Sequence, residues 1–340
     1  MDLILKILGI VFLVLIVIAI GAFFFLRKKW RNLVAGLGQE MDGTPPMSIH
    51  LNQDLNPEWT QEPDVAELIG QVEPLGFSMG NAYAIKEMAG VRCVSFFRSE
   101  RDSCAVVYQH DNGMLWLEFV LEYQDGSDLT VTNAPMGGEM DTRPECEKIF
   151  IPNAPVSKLY ETFREKIQPK PKVPIDDSTF REVFEEAYRR DMAWRAAKGG
   201  VSEEEVRKVM ESGDISLDEE ELQDAMMDIK KKELYTWHEE CIDHALKKKN
   251  VPPEKWDIYK KRIFIVTDQA HTPSFIEYLD DFLDFDEAQL EGFLQLAKTG
   301  QKASDLFALI NDSLSPELRG KKLGTVDYPV AATLFKVPSG

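Results

Sequence analysis

The densest run of chemically capable side chains is His238-Glu239-Glu240-Cys241-Ile242-Asp243-His244. Imidazole, thiolate and carboxylate together suggest a transition metal. A two-histidine zinc helix, however, needs its ligands at i and i+4 so that both project to one side. Here the histidines stand six apart, about 120° from one another around a helix, and Ile242 occupies the position a second ligand would need. The expectation is no metal, and instead a charged helix face with Cys241 beside Trp237 at the core. The acidic runs Asp218-Glu219-Glu220-Glu221 and Asp280-Asp281, Asp284, Asp286-Glu287 lack the alternating ligands and central glycine of a calcium loop. They suit helix N-terminal turns, where the dipole favours carboxylates. Nucleophile chemistry is equally thin: no Gly-x-Ser-x-Gly elbow occurs, and His50, His110 and His271 have no motif around them. No dinucleotide glycine fingerprint follows a strand, so no cofactor is expected.

Two binding features remain. A stretch of about twenty residues precedes a helix near Pro155 and contains Asn133-Ala134-Pro135-Met136-Gly137-Gly138 and Asp141-Thr142-Arg143-Pro144. Connections of that length are commonly functional. One reading is a lid over a pocket, with Arg143 gripping an anionic group; the other is a packed surface loop whose glycines serve turns. The second feature is aromatic: Phe97, Tyr108, Trp116 and Phe119 would line a small apolar ligand if a curved sheet enclosed one.

An α+β fold would have to position these groups. Val65, Leu68, Ile69 and Val72 recur at helical spacing, and strands are expected at about 77–86, 91–98, 103–110, 114–124 and 128–133. Their separators, Ala89-Gly90, Ser99-Glu100-Arg101-Asp102, Asn112-Gly113 and Asp125-Gly126, imply a five-stranded antiparallel meander, with Asn-Gly read as a type I′ turn. Residues 148–151 are a candidate sixth edge strand. Leu115, Leu117, Phe119, Leu121 and Tyr123 share one face of the fourth strand. The other face is half apolar, so something besides water should cover part of it. The domain plan is an anchor with its basic collar (1–31), a flexible tether (32–63), the sheet domain (64–167), a proline-rich linker (168–175) and a mainly helical acidic domain (176–340). Helix starts in the last are read from Thr179 with Glu182, Ser202 with Glu205, Ser216 with Glu219 and Ser274 with Glu277. Residues 258–266 are ambiguous between helix and buried strand, and 325–337 alternate enough for a terminal strand.

Leu75-Gly76-Phe77, Tyr123-Gln124-Asp125-Gly126 and Leu129-Thr130-Val131-Thr132-Asn133-Ala134-Pro135 resemble a pattern found in uncharacterised bacterial membrane-anchored proteins. The resemblance covers the β-rich third, implies a bacterial source, and brings no activity or site residue with it.

Location is the clearest message. Residues 7–26 hold no charged or polar side chain, and sixteen of the twenty are Leu, Ile, Val or Phe. At about 1.5 Å per residue the run spans roughly 30 Å, the hydrocarbon thickness of a bilayer, and its composition favours insertion by about 5 to 10 kcal/mol. A cleaved signal peptide would have a shorter apolar region and a small-residue cleavage site; this run meets Arg27, Lys28, Lys29, Trp30 and Arg31 directly. The basic collar places the N-terminus outside and the body in the cytoplasm. Cys93, Cys104, Cys146 and Cys241 then fit as free thiols. Residues 1–31 carry five basic and one acidic side chain, leaving 34 basic against 57 acidic in the body. That excess argues against a nucleic-acid partner and favours a body held clear of an anionic leaflet. The sequence thus predicts a single-pass membrane protein whose partners are the bilayer, through residues 7–26, and another protein. Its body is read as a non-enzymatic interaction module or adaptor. The alternatives are a small-ligand module on the sheet and a membrane-tethered hydrolase.

Overall fold

The computed structural model describes residues 44–338, apart from Met136, Glu139, residues 213–215 and Leu217. The apolar run, its basic collar and the first part of the expected tether, residues 32–43, lie outside the described residues. Among the described ones no helix is long and apolar enough to cross a membrane.

The fold is mixed α+β, and its larger sheet has seven strands. These are β1 (Leu51–Asp54), β2 (Phe77–Ile85), β3 (Val91–Arg98), β4 (Cys104–His110), β5 (Leu115–Glu122), β6 (Asp128–Thr132) and β7 (Cys146–Phe150), arranged in chain order. The central five are the expected meander. The β4–β5 turn differs from the type I′ expectation, since Gly113 (φ 91°) adopts positive φ while Asn112 does not, and the β5–β6 turn matches the β4–β5 one, with Gly126 (φ 83°) positive and Asp125 not. The Gly113 and Gly126 amides donate to the carbonyls of His110 and Tyr123. These are three-residue loops ending in a glycine bulge, which need positive φ only once.

Both sheet edges correct the sequence reading. Leu51–Asp54, within the expected tether, pairs antiparallel with β2, Leu51 opposite Ile85. Its single apolar residue leaves no alternation to read. The preceding residues are fastened rather than loose: the Met47 amide donates to both Glu240 carboxylate oxygens at 2.9 and 3.0 Å, and the Leu51 amide to Glu185 at 2.8 Å. At the other edge β7 runs parallel to β6, Asp128 opposite Cys146. A parallel neighbour requires a crossover of about a dozen residues, so the long connection after Thr132 is first a topological necessity.

Helices α1 (Pro63–Val72) and α2 (Val156–Lys166) cover one sheet face, burying Phe96, Leu117, Phe119, Leu121 and Leu129. On the opposite face Phe180 and Phe184 of α3 (Phe180–Ala197) pack with Tyr83, Phe97 and Tyr108. The proline-rich segment lies along the sheet instead of spanning solvent: the Val173 amide donates to the Glu122 carbonyl at 2.8 Å and the Gln124 amide to the Pro171 carbonyl at 2.9 Å. The remaining elements are α4 (Glu203–Ser212), α5 (Glu219–Lys248), α6 (Trp256–Lys260), β8 (Ile263–Val266), α7 (Thr272–Leu283), α8 (Glu287–Ala297), α9 (Ala303–Ser313), β9 (Lys321–Val326) and β10 (Ala332–Lys336). The ambiguous segment is therefore a short helix followed by a buried strand, and the C-terminal alternation is a hairpin. Strands β8, β10 and β9 form a second antiparallel sheet in that order. Phe264, Phe275, Tyr278, Leu306 and Phe307 are buried in the core built on it. The described residues from Pro45 onward make one compact unit, so the sheet-rich and helix-rich parts pack together.

Of the helix starts read from sequence, Ser202 with Glu205 forms its reciprocal box, with amide-to-side-chain distances of 2.7 and 3.2 Å. The α5 box belongs to Asp218 and Glu221, two residues beyond the Ser216–Glu219 pair, and Asp286 with Gln289 caps α8. Thr179 makes no side-chain cap, and Ser274 lies inside α7, donating to the Met227 carbonyl.

Candidate functional site

The long connection, β6–β7 and α3 bring together the most concentrated polar chemistry. Arg143, 11% exposed, donates from Nε to Asp191 Oδ1 at 2.6 Å and from Nη2 to Asp128 Oδ2 at 3.0 Å. The Cys146 thiol donates to the same Asp128 oxygen at 2.7 Å. Burial, then the bonded Asp128 carboxylate, pushes the thiol well above its ordinary range. Burial also raises the Asp128 carboxyl, although the Cys146 hydrogen bond opposes it. The guanidinium expected to grip an external anion is thus already held by two carboxylates. Forked geometry suits Arg to this clamp, which ties the long connection to the sheet and to α3.

A second network fixes the same connection two residues before Arg143, at Asp141. Glu205, 2% exposed, accepts from Arg195 Nη1 at 2.5 Å and from the amides of Asp141 and Ser202 at 2.6 and 2.7 Å. Lys198 and Ser202 both reach Asp141. Beneath them Glu233 accepts the Val201 amide at 2.7 Å and abuts Gly200, whose φ is 79°. Burial raises the Glu233 carboxyl and lowers the Lys230 ammonium beside it.

Residues on either side of Arg143 line two open clefts of opposite character. One, about 550 Å³, is bordered by Asp125, Asp128, Glu145, Cys146, Glu147 and Lys170; the other, about 460 Å³, by Asp141, Lys148, Phe150, Trp194, Lys198 and Lys208. Arg143 lines neither. The lysines of the second are engaged by carboxylates: Lys198 by Asp141, Lys208 by Glu204 at 2.8 Å, and Lys148 by Glu118 at 4.0 Å.

The four aromatic residues expected around an apolar ligand do not converge. Phe119 lies under α2, where its ring centroid is 5.7 Å from that of Phe163. Phe97, Tyr108 and Trp116 are on the opposite face; Tyr108 and Trp116 stack at 4.9 Å, and α3 covers Phe97 and Tyr108 through Phe180 and Phe184. Adjacent strand residues point to opposite faces, and the volume beside these rings is filled by helix side chains.

The histidine-rich helix face carries structural roles. His238, 4% exposed, bonds Tyr278 Oη through Nδ1 at 2.5 Å and the Lys260 carbonyl through Nε2 at 3.3 Å. His244 lies instead against the Tyr328 ring, and Cys241 is buried. Among the described residues no three His, Cys, Asp or Glu side chains are grouped to hold a metal ion. His271 does touch Ser274, Nδ1 to Oγ at 2.9 Å, but that hydroxyl is 1% exposed and its proton is committed to the Met227 carbonyl. No family model, curated protein or solved structure matches the chain.

Proposed function

We propose that the chain is a single-pass membrane protein whose body works by surface contact with another protein, as an adaptor held at the membrane. The observation that carries this reading is the segregation in the sequence: a twenty-residue apolar run ending in a five-residue basic and aromatic collar, joined to a body with 34 basic and 57 acidic residues. The packing of that body supports it. Both faces of the seven-stranded sheet are covered by helices, and Arg143 is occupied by Asp128 and Asp191. The apolar-ligand alternative requires Phe97, Tyr108, Trp116 and Phe119 to share a cavity, and they are split between the two faces. Protease digestion of sealed membrane vesicles tests the arrangement. Protection of residues 45–340 in right-side-out vesicles, with cleavage in inverted ones, is expected; digestion of the body from the outer face refutes it.

A further inference from the structure

The body's net charge conceals a basic end. Residues 247–262 hold seven basic side chains and two acidic ones, and 319–326 hold three basic and no acidic ones. With Lys336 these make eleven of the body's 34 cations. The fold gathers them. Lys336 lies opposite Lys321 in the β9–β10 register and opposite Ile263 in the β8–β10 register. The starts of β8 and β9 and the end of β10 therefore share one end of the small sheet. Lys261 and Arg262 immediately precede β8, and the Val337 amide bonds the Arg262 carbonyl at 2.6 Å. Helix α6 leads into the same corner, and Lys260 on it pairs with Asp243 of α5 at 2.8 Å, a turn before Lys247, Lys248 and Lys249.

Two features mark this end as a surface awaiting a partner. Several cations elsewhere are met by carboxylates, as at Arg143, Lys198 and Arg195. Lys321 and Lys336 face each other directly across the strands, both exposed and with no carboxylate partner among the described residues. Like charges at that position destabilise a sheet unless an anion neutralises them. Apolar groups are interleaved with the charges: Ile258 is 52% exposed, Tyr259 37% and Leu323 40%, with Trp256 half-buried behind them.

We infer that this end of the small sheet docks on an anionic lipid leaflet, with basic side chains at the headgroups and Ile258, Tyr259 and Leu323 entering the interface. Interleaved apolar and aromatic residues distinguish such a surface from a purely phosphate-reading one. The inference takes its location from the membrane-anchor reading and its geometry from the sheet alone. It reverses the expectation that an acidic body stands clear of the membrane, because the charge is segregated and a Debye length of about 8 Å lets each end act separately.

The test uses the full chain in nanodiscs of phosphatidylcholine, with or without phosphatidylserine, and reads the amine-labelling rates of Lys321, Lys322 and Lys336 against exposed Lys86 by mass spectrometry. About tenfold slower labelling of the three, in anionic discs only and relieved by high salt, is expected. Equal rates in the two discs overturn the docking. Failure of the chain to enter neutral discs overturns the anchor reading alone. Docking is then read by flotation with anionic vesicles, where the triple variant Lys321→Gln, Lys322→Gln, Lys336→Gln should bind roughly a hundredfold more weakly than the parent, and absence of parent binding overturns it. Stronger protection by duplex RNA than by anionic lipid assigns the surface to nucleic acid and also overturns the proposal.

Discussion

Lowering the pH should unfold the protein partly through one imidazole. The Tyr278 hydroxyl accepts the Ile265 amide at 2.7 Å, so its single proton is directed to His238 Nδ1, and Nε2–H is directed to the Lys260 carbonyl. Protonating Nδ1 would oppose two donors. Burial is the principal cause that lowers the His238 pKa from 6.5 to about 4. A depressed folded-state value means that the contribution is complete above about 6.5 and is lost as pH falls towards about 4. The full difference is worth about 3 kcal/mol at 1.36 kcal/mol per unit, and about 2 kcal/mol of it is gone by pH 5. Carboxylates titrate in the same window, so the measurement is a difference: urea unfolding of the detergent-solubilised protein and of His238→Gln, each at about pH 7.5 and pH 5. The parent should lose about 2 kcal/mol more than the variant over that interval. Parallel losses, or an imidazole NMR titration midpoint near 6.5, would refute the buried neutral ring.

Other perturbations separate buried from exposed charge. Glu205→Ala should cost about 3 to 5 kcal/mol in the same unfolding assay, because Arg195 is left buried and unpaired, whereas Glu186→Ala at the exposed Arg189 pair should cost under about 1 kcal/mol. Gly200→Ala should destabilise by more than about 1 kcal/mol, since φ is positive there and a Cβ would collide with the Glu233 carboxylate. Native Cys93, Cys104 and Cys241 should resist an aromatic disulfide reagent at pH 8, their thiols pushed up to about 12 by burial. Asp128→Asn should accelerate modification of Cys146, and an unchanged rate would show that the Asp128 bond does not restrain the thiol.

The strands of the meander were legible because alternating side chains and glycine-bearing turns are local signals; Leu117 and Phe119 point inward where alternation puts them. Strand β1 was not, since a four-residue edge with one apolar side chain is defined by its partner and not by its own pattern. The parallel placement of β7 was encoded only as a loop length. The candidate site divides the same way. Arg143 stood out in an unusual connection, but the carboxylates that occupy it lie 15 and 48 positions away. Glu205 was visible as a cap partner of Ser202, while its bond to Arg195 depends on the turn at Gly199-Gly200 bringing α3 and α4 together. The basic end is not legible in the sequence because its members come from four separate segments and their sum vanishes in an acidic total.

The central claim is that an anchored body acts through contact with another protein. Quantitative mass spectrometry of the full chain purified, after mild cross-linking, from carbonate-washed membranes tests it most directly. The account predicts the chain in the washed membrane fraction with a second protein in near-equal amount. Release of the chain by carbonate, or its recovery from the membrane alone, would contradict it.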